Sequence, residues 1–413
     1  MPSTRSTTVR FDPTSAAFAD DPYTAYAALR ALDQPYYFAP IDTWLLTRVA
    51  DVERVALDKS MVRSTETLLT TEERREQQRQ RNWHDMPNHE RFVQVNLLET
   101  EGETHDRLRK VVFREFTPAM ISRQREATQA YVDRLLGKLG DEREIDFVQE
   151  FASHVPGLII GHILGVPDAD APKLRHWSEE IVRFYDVGRD DDDKARAELA
   201  TTEFHDFLTA LLKDRARAPK DDLLSRLIEH RNAGALSQDE LISTAMLILM
   251  AGHGSTIDVL GSGLHALLRF PDQHARLRDD PGLIKTAVQE MFRFESPLPF
   301  FHRFATEEAV VGGKRFPAGT RFGLLYGAAN RDPERFDNPD LFDIARTPNR
   351  HMAFGGGIHF CLGNHLARLD MDVIFTTLNA RFRKIELVDQ TPQYKQSLSE
   401  RGPVSLRIAL TPA

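Results

Sequence analysis

The chain is poor in thiols. Cys361 is the sole cysteine in 413 residues, so an internal disulfide is excluded, and so is the four-sulfur cage of an iron–sulfur cluster. Long apolar runs are also scarce. The longest, Ala245 to Ala251, falls far short of the ~20 residues a membrane span needs. Basic excess is missing: the formal net charge of -9 provides no global field for DNA or RNA. The stretch Met1 to Val9 has no signal-peptide core, and no glycine-rich phosphate loop follows a strand. One cysteine fits a reducing compartment. A cytoplasmic, unprocessed, soluble protein with no nucleic-acid or membrane partner is therefore expected.

Hydrophobic residues make up 41% and charged residues 28%, as in ordinary globular proteins. Length alone suggests two or three domains, yet no repeat or Pro/Gly/Ser linker divides the chain. Helical periodicity dominates. Proline opens a short helix over Pro22 to Leu32, and Trp44 to Val49 reads as a strand. Ser237 and Glu240 form a capping-box pattern before an apolar stretch that ends at Pro271. This predicts a helix of about 33 residues, roughly 50 Å long, buried on all sides at its middle. Ala309 to Phe316 reads as a hairpin turning on Gly312-Gly313. Arg321 to Tyr326 and Val404 to Leu410 read as further strands. The charged runs Glu72 to Arg81 and Asp190 to Lys194 read as solvated loops or helix faces. The fold class is mainly α with small antiparallel β-sheets (α+β).

Cys361 lies within Phe354 to Arg368, FGGGIHFCLGNHLAR. Leu362, Leu366, Leu369 and Val373 recur at helical spacing after it. Backbone N–H groups at a helix start favour the thiolate. Gly355, Gly356 and Gly357 permit positive φ and close approach to a flat partner. The segment resembles the heme-binding loop of the cytochrome P-450 family, Phe-x-x-Gly-x-x-x-Cys-x-Gly, matched by Phe354, Gly357, Cys361 and Gly363. The resemblance spans essentially the whole chain. It implies a bacterial, soluble-type enzyme with a single triangular domain over residues 1–413, heme b as cofactor and Cys361 as the axial iron ligand.

Other segments carry the resemblance in the same order. His105 and Arg109 match the family's His-x-x-x-Arg helix, and Arg303 and His359 match its other propionate-binding positions. Two carboxylates taken into an interior need such donors. With Phe354, Gly355 and Gly363 these complete the implied cofactor-binding set. Glu290 and Arg293, at i, i+3 on one helix, match the family's Glu-x-x-Arg, and Arg346 matches its third partner. By resemblance the three form a buried network.

The long helix carries Ala251-Gly252-His253-Gly254-Ser255-Thr256, where the family has Ala-Gly-x-acid-Thr. Gly252 would leave room for dioxygen, and the Gly/Ser cluster is a kink candidate. Gly254 replaces the acid and Ser255 the alcohol that together order proton delivery. Ser255 can still hold water. A water, or His253 or Thr256, would stand in for the acid; otherwise the chemistry departs from ordinary oxygen activation. Leu247, Ile248, Ala251 and Ser255 share a helix face. With Leu97, Leu98, Phe184, Pro299, Phe300, Phe301 and Leu398 they form the candidate substrate pocket, for a small hydrophobic or aromatic compound. His84 and His89 read as exposed loop histidines.

The implied function is a heme-thiolate monooxygenase carrying out hydroxylation or oxidative dealkylation. Electrons would come from an external ferredoxin and ferredoxin reductase, with NAD(P)H as ultimate donor. Arg107, Lys110, Arg346 and Arg350 are candidates for a basic docking patch. Two alternatives are a peroxide-driven or non-oxygenating heme-thiolate enzyme and a non-catalytic heme-binding accessory protein.

Overall fold

A computed structural model describes residues 9–66, 68–139 and 144–413. The Met1–Thr8 stretch, included above in the search for a signal sequence, lies outside the described residues. Among the described residues helices dominate, and three small sheets flank them. The long helix spans Gln238–Arg269. Its capping box is formed: the Glu240 N–H donates to Ser237 Oγ at 3.1 Å, and the Ser237 N–H donates to the Glu240 carboxylate at 2.8 Å. Pro271 ends it by opening the next helix, Pro271–Asp279. By length and composition this helix could cross a bilayer, contrary to the sequence expectation. Its apolar surface is instead buried within the protein, against helices Val155–Leu164, Ala171–Arg183 and Ile284–Phe294. The helix continues through Gly252 to Ser255. There Ser255 and Thr256 donate their hydroxyls back to the Ala251 and Gly252 carbonyls, at 3.0 and 2.9 Å.

The largest sheet has five strands, in the order Tyr36–Phe38, Thr43–Leu46, Arg321–Leu325, Phe300–Ala305, Met61–Val62. One pairing is parallel, Trp44 beside Phe322, so the sheets are not wholly antiparallel. The strand expected over Trp44 to Val49 stops at Leu46, because Val49 begins the helix Val49–Leu57. The hairpin turns at Gly312 and Gly313, both at positive φ, as a two-residue turn requires. Both charged runs enter helices. Asp190 caps Asp191–Arg217, whose acidic first turn suits the positive end of the dipole. Most of the other run lies in Thr71–Gln80. The last strand, Arg407–Pro412, starts later than expected. Ahead of it the chain lies against the long helix, Gly402 on Asp258 and Pro403 on Gly261.

Candidate heme site and distal face

The Gly355–Gly357 segment crosses the Val49–Leu57 helix. A Cβ on Gly357, at φ +69°, would stand 2.4 Å from the Ala56 carbonyl oxygen, so only glycine fits there. Gly355 also has positive φ, whereas Gly356 is extended. The loop closes when the Cys361 N–H donates to the Phe354 carbonyl at 3.0 Å. Asn364 Nδ2, at the start of the helix Asn364–Arg381, donates to the Cys361 carbonyl at 2.8 Å. The Arg368 guanidinium lies 4.2 Å from the centre of the Phe354 ring. Cys361 keeps some accessible surface, and the space beside Gly363 is open.

The thiol differs from expectation. Burial pushes Cys361 above the ordinary thiol value. The Gly363 N–H and the charges of Arg368 and Arg109 act in the expected direction, but burial prevails.

A cluster of cationic and donor groups lies next to this loop. His105 is buried, and its ring centre is 4.8 Å from that of His359. His359 Nε2 pairs with Glu101 at 3.0 Å. Arg109 donates to the Phe360 carbonyl at 2.6 Å. Arg303 is buried, and its guanidinium donates to the carbonyl of neighbouring His302. Arg63 and Glu101 belong to the same cluster, although the sequence did not single them out. The Arg63 N–H donates to Glu101 at 2.6 Å and its guanidinium pairs with Glu99. Burial would raise Glu101, but the His359 hydrogen bond, together with Arg63 and Arg303, holds it below the usual carboxylate range.

His105 Nε2 and Arg63 Nε and Nη1 are buried without a hydrogen-bond partner among the described residues. Unpaired buried donors are costly. Here they suit the two propionate carboxylates of a heme, and the Cys361 thiol suits its iron. On these observations the residues fit heme.

The Glu290 network is formed. Arg293 makes a two-pronged pair with Glu290, both contacts 2.7 Å, and both side chains are fully buried. Arg346 Nε reaches Glu290 at 3.2 Å. Asn349 and the Asp343 N–H also donate to Glu290, at 3.0 and 2.9 Å. Arg293 further donates to the Asn330, Pro339 and Leu341 carbonyls, which pins the segment leading into the Cys361 loop.

On the distal face, Ala251 is exposed within an otherwise buried stretch of the long helix, and Leu247 and Ser255 are half-buried beside it. Gly252 has a different role from the one expected: a Cβ there would meet Ile160 Cδ1 at 2.3 Å, so the missing side chain admits a neighbouring helix. His253 does not replace the acid. It packs against Gly157, and burial lowers it from 6.5 to about 3, keeping it neutral. Thr256 is buried and bonded within the helix. At Gly254 a Cβ would stand 2.9 Å from a carboxylate oxygen of Glu400.

Several pocket candidates are packing residues. Phe184 is fully buried among Trp83, His89 and Arg189, and His89 is buried with it rather than exposed. Phe300 and Leu398 belong to the core beneath the five-stranded sheet, because alternation along the strand turns Phe300 away from the side facing Arg63. Phe301 takes that side, with Arg63 over its ring. Leu97, Ile248 and Pro299 are buried; Leu98 and Leu247 retain accessible surface. Two docking candidates are already engaged. Arg107 pairs with Glu240, and Arg346 is held in the Glu290 network.

The cytochrome P-450 family model matches residues 66–281 and 282–407. The polyketide biosynthesis cytochrome P-450 PksS of Bacillus subtilis is 32% identical, over 97% of this chain and 98% of its own. The vitamin D(3) 25-hydroxylase of Pseudonocardia autotrophica is 35% identical, over 100% of this chain and 99% of its own. Among solved structures, the complex of P-450BioI with an acyl carrier protein ligated to hexadec-9Z-enoic acid superposes with a TM-score of 0.88. Its identity is 29%, over 96% of this chain and 99% of that one. The chain therefore belongs to the cytochrome P-450 family of heme-b-binding, heme-thiolate monooxygenases.

Proposed function

We propose that the protein inserts one atom of dioxygen into a hydrophobic substrate, with Cys361 as the residue that would hold the iron of a bound heme. The reading rests on the meeting of Cys361, a residue with some accessible surface, with buried donors that lack partners among the described residues. When bound, heme would supply the centre for dioxygen activation, and the Cys361 sulfur would tune it. One oxygen atom enters the substrate and the other leaves as water; two electrons come from outside and two protons from solvent.

The protein's own groups divide the remaining work. His105, Arg109, Arg303 and His359, with Arg63, would hold the propionates of a bound heme. Ser255 donates its proton to the Ala251 carbonyl, so its oxygen remains free to accept one from water. Ala251, Leu247 and Leu98 line the accessible apolar surface offered to substrate. The named relatives act on or bind a polyketide-pathway compound, a vitamin D and a fatty acyl chain. This supports a lipophilic substrate here.

Electrons would arrive from a ferredoxin and its reductase. Lys110 and Arg350 are exposed, and Arg109 contacts the Phe360 carbonyl next to Cys361. Exposed Phe360, whose carbonyl Arg109 contacts, and exposed Ile358 on the same loop add apolar surface there. The test is spectroscopic. The carbon monoxide complex of the reduced holoprotein is expected to show the red-shifted band of thiolate ligation. A Cys361→Ala protein that keeps this band would sink the assignment.

A further inference from the structure

The carboxylate missing from the long helix has a counterpart nearby in space. Glu400 lies on the loop before the final strand, 146 positions after Gly254 (400 less 254). Its Oε1 stands 2.9 Å from where a Cβ of residue 254 would be. The loop lies along one face of the long helix. Glu400 meets Gly254, Gly402 meets Asp258 one turn on, and Pro403 meets Gly261. Any side chain at 254 would have to displace this carboxylate. The helix's loss of an acid and the loop's delivery of one are thus the same packing arrangement.

The loop holds Glu400 in place. The Ser399 and Glu400 N–H groups both donate to Ser397 Oγ at 3.0 Å. Arg401, the next residue, is buried and bound to Glu295 at 2.5 Å and to the Ala19 carbonyl at 2.9 Å. Lys395 bridges Glu400, at 3.5 Å, and buried Asp258, at 2.9 Å. Glu400 keeps partial solvent exposure. It thus combines some exposure with a place beside the helix position next to Ser255, as a proton donor requires.

We propose that Glu400 replaces the helix acid and acts as a positioning residue, through Ser255 and the water they order, for proton delivery to the distal face. This rests on the monooxygenase reading above. A loop-fastening ion pair with Lys395 is the competing role.

The test compares holoprotein variants Glu400→Gln, Gly254→Glu and the double variant. NADPH oxidation is driven through a ferredoxin and its reductase, with and without hexadec-9Z-enoic acid as probe, in water and in deuterium oxide. Glu400→Gln is expected to slow oxidation by roughly a hundredfold, the low end of the contribution of a positioned proton-transfer group, and to enlarge the solvent isotope effect. The double variant, with its acid returned to the helix, is expected to recover most of the rate; a merely structural Glu400 would not be rescued this way. Thermal unfolding gives a readout apart from turnover. Gly254→Glu crowds two carboxylates and should lower the midpoint by about 2 °C or more relative to the same change in the Glu400→Gln background. Equal rates and isotope effects in Glu400→Gln and the unaltered protein overturn the proposal. Failure of the unaltered protein to oxidise NADPH would overturn the monooxygenase reading instead.

Discussion

Removing Glu290 tests the proximal network most directly. Glu290→Ala takes away the one carboxylate that accepts from Arg293, Arg346, Asn349 and the Asp343 N–H. Arg293 remains fully buried with no anion, although its three carbonyl partners persist. Breaking one side of a buried pair costs about 3–5 kcal/mol. An unfolding entropy of roughly 2.1 cal/mol/K per residue amounts to about 0.9 kcal/mol/K over this chain. The unfolding midpoint should therefore fall by about 3–6 °C, measured by calorimetry on the holoprotein at fixed concentration. Glu290→Gln should recover little, because its amide nitrogen would face donors. A midpoint within about 1 °C of the unaltered protein in both variants would refute the view that this network secures the approach to the Cys361 loop.

Acid should destabilise the protein through its buried histidines. Folded His253 stays neutral down to about 3, whereas the unfolded chain takes up that proton near 6.5, so stability present above 6.5 is lost as pH falls toward 3. The loss is at most about 1.4 kcal/mol per pH unit. His253→Leu should flatten the dependence of the unfolding midpoint on pH between 7 and 5, and an unchanged slope counts against it. His89 and His351, also lowered to about 3, should add to the slope that remains. At the proximal face, Lys110→Glu with Arg350→Glu should slow reduction by an acidic ferredoxin and weaken its salt dependence. Reduction rates indifferent to ionic strength in the unaltered protein would exclude the patch.

Local chemistry was legible in the order of residues. Ser237 and Glu240 announced the long helix because a capping box needs only three residues of spacing. Gly312-Gly313 announced a hairpin, and Glu290 with Arg293 announced a pair on one helix face, for the same reason. Boundaries slipped at Val49, which begins a helix, and at Val404 to Leu406, where the Leu406 N–H donates to the Asp146 side chain instead of a strand partner. Pocket lining was less legible: Phe184, Phe300 and Leu398 are apolar either way, and only the packed structure separates a cavity wall from a core.

The sequence alone determined a mainly helical fold class through its periodicity, and its short motifs singled out Cys361 and carried the resemblance to the family. Tertiary structure decided what surrounds them. It brought Arg63 and Glu101 to His359, seated Ile160 over Gly252, and set Glu400 against Gly254. These contacts join segments far apart in the chain. Close packing of the whole molecule, rather than any local spacing, determines which side chain fills the space beside a glycine.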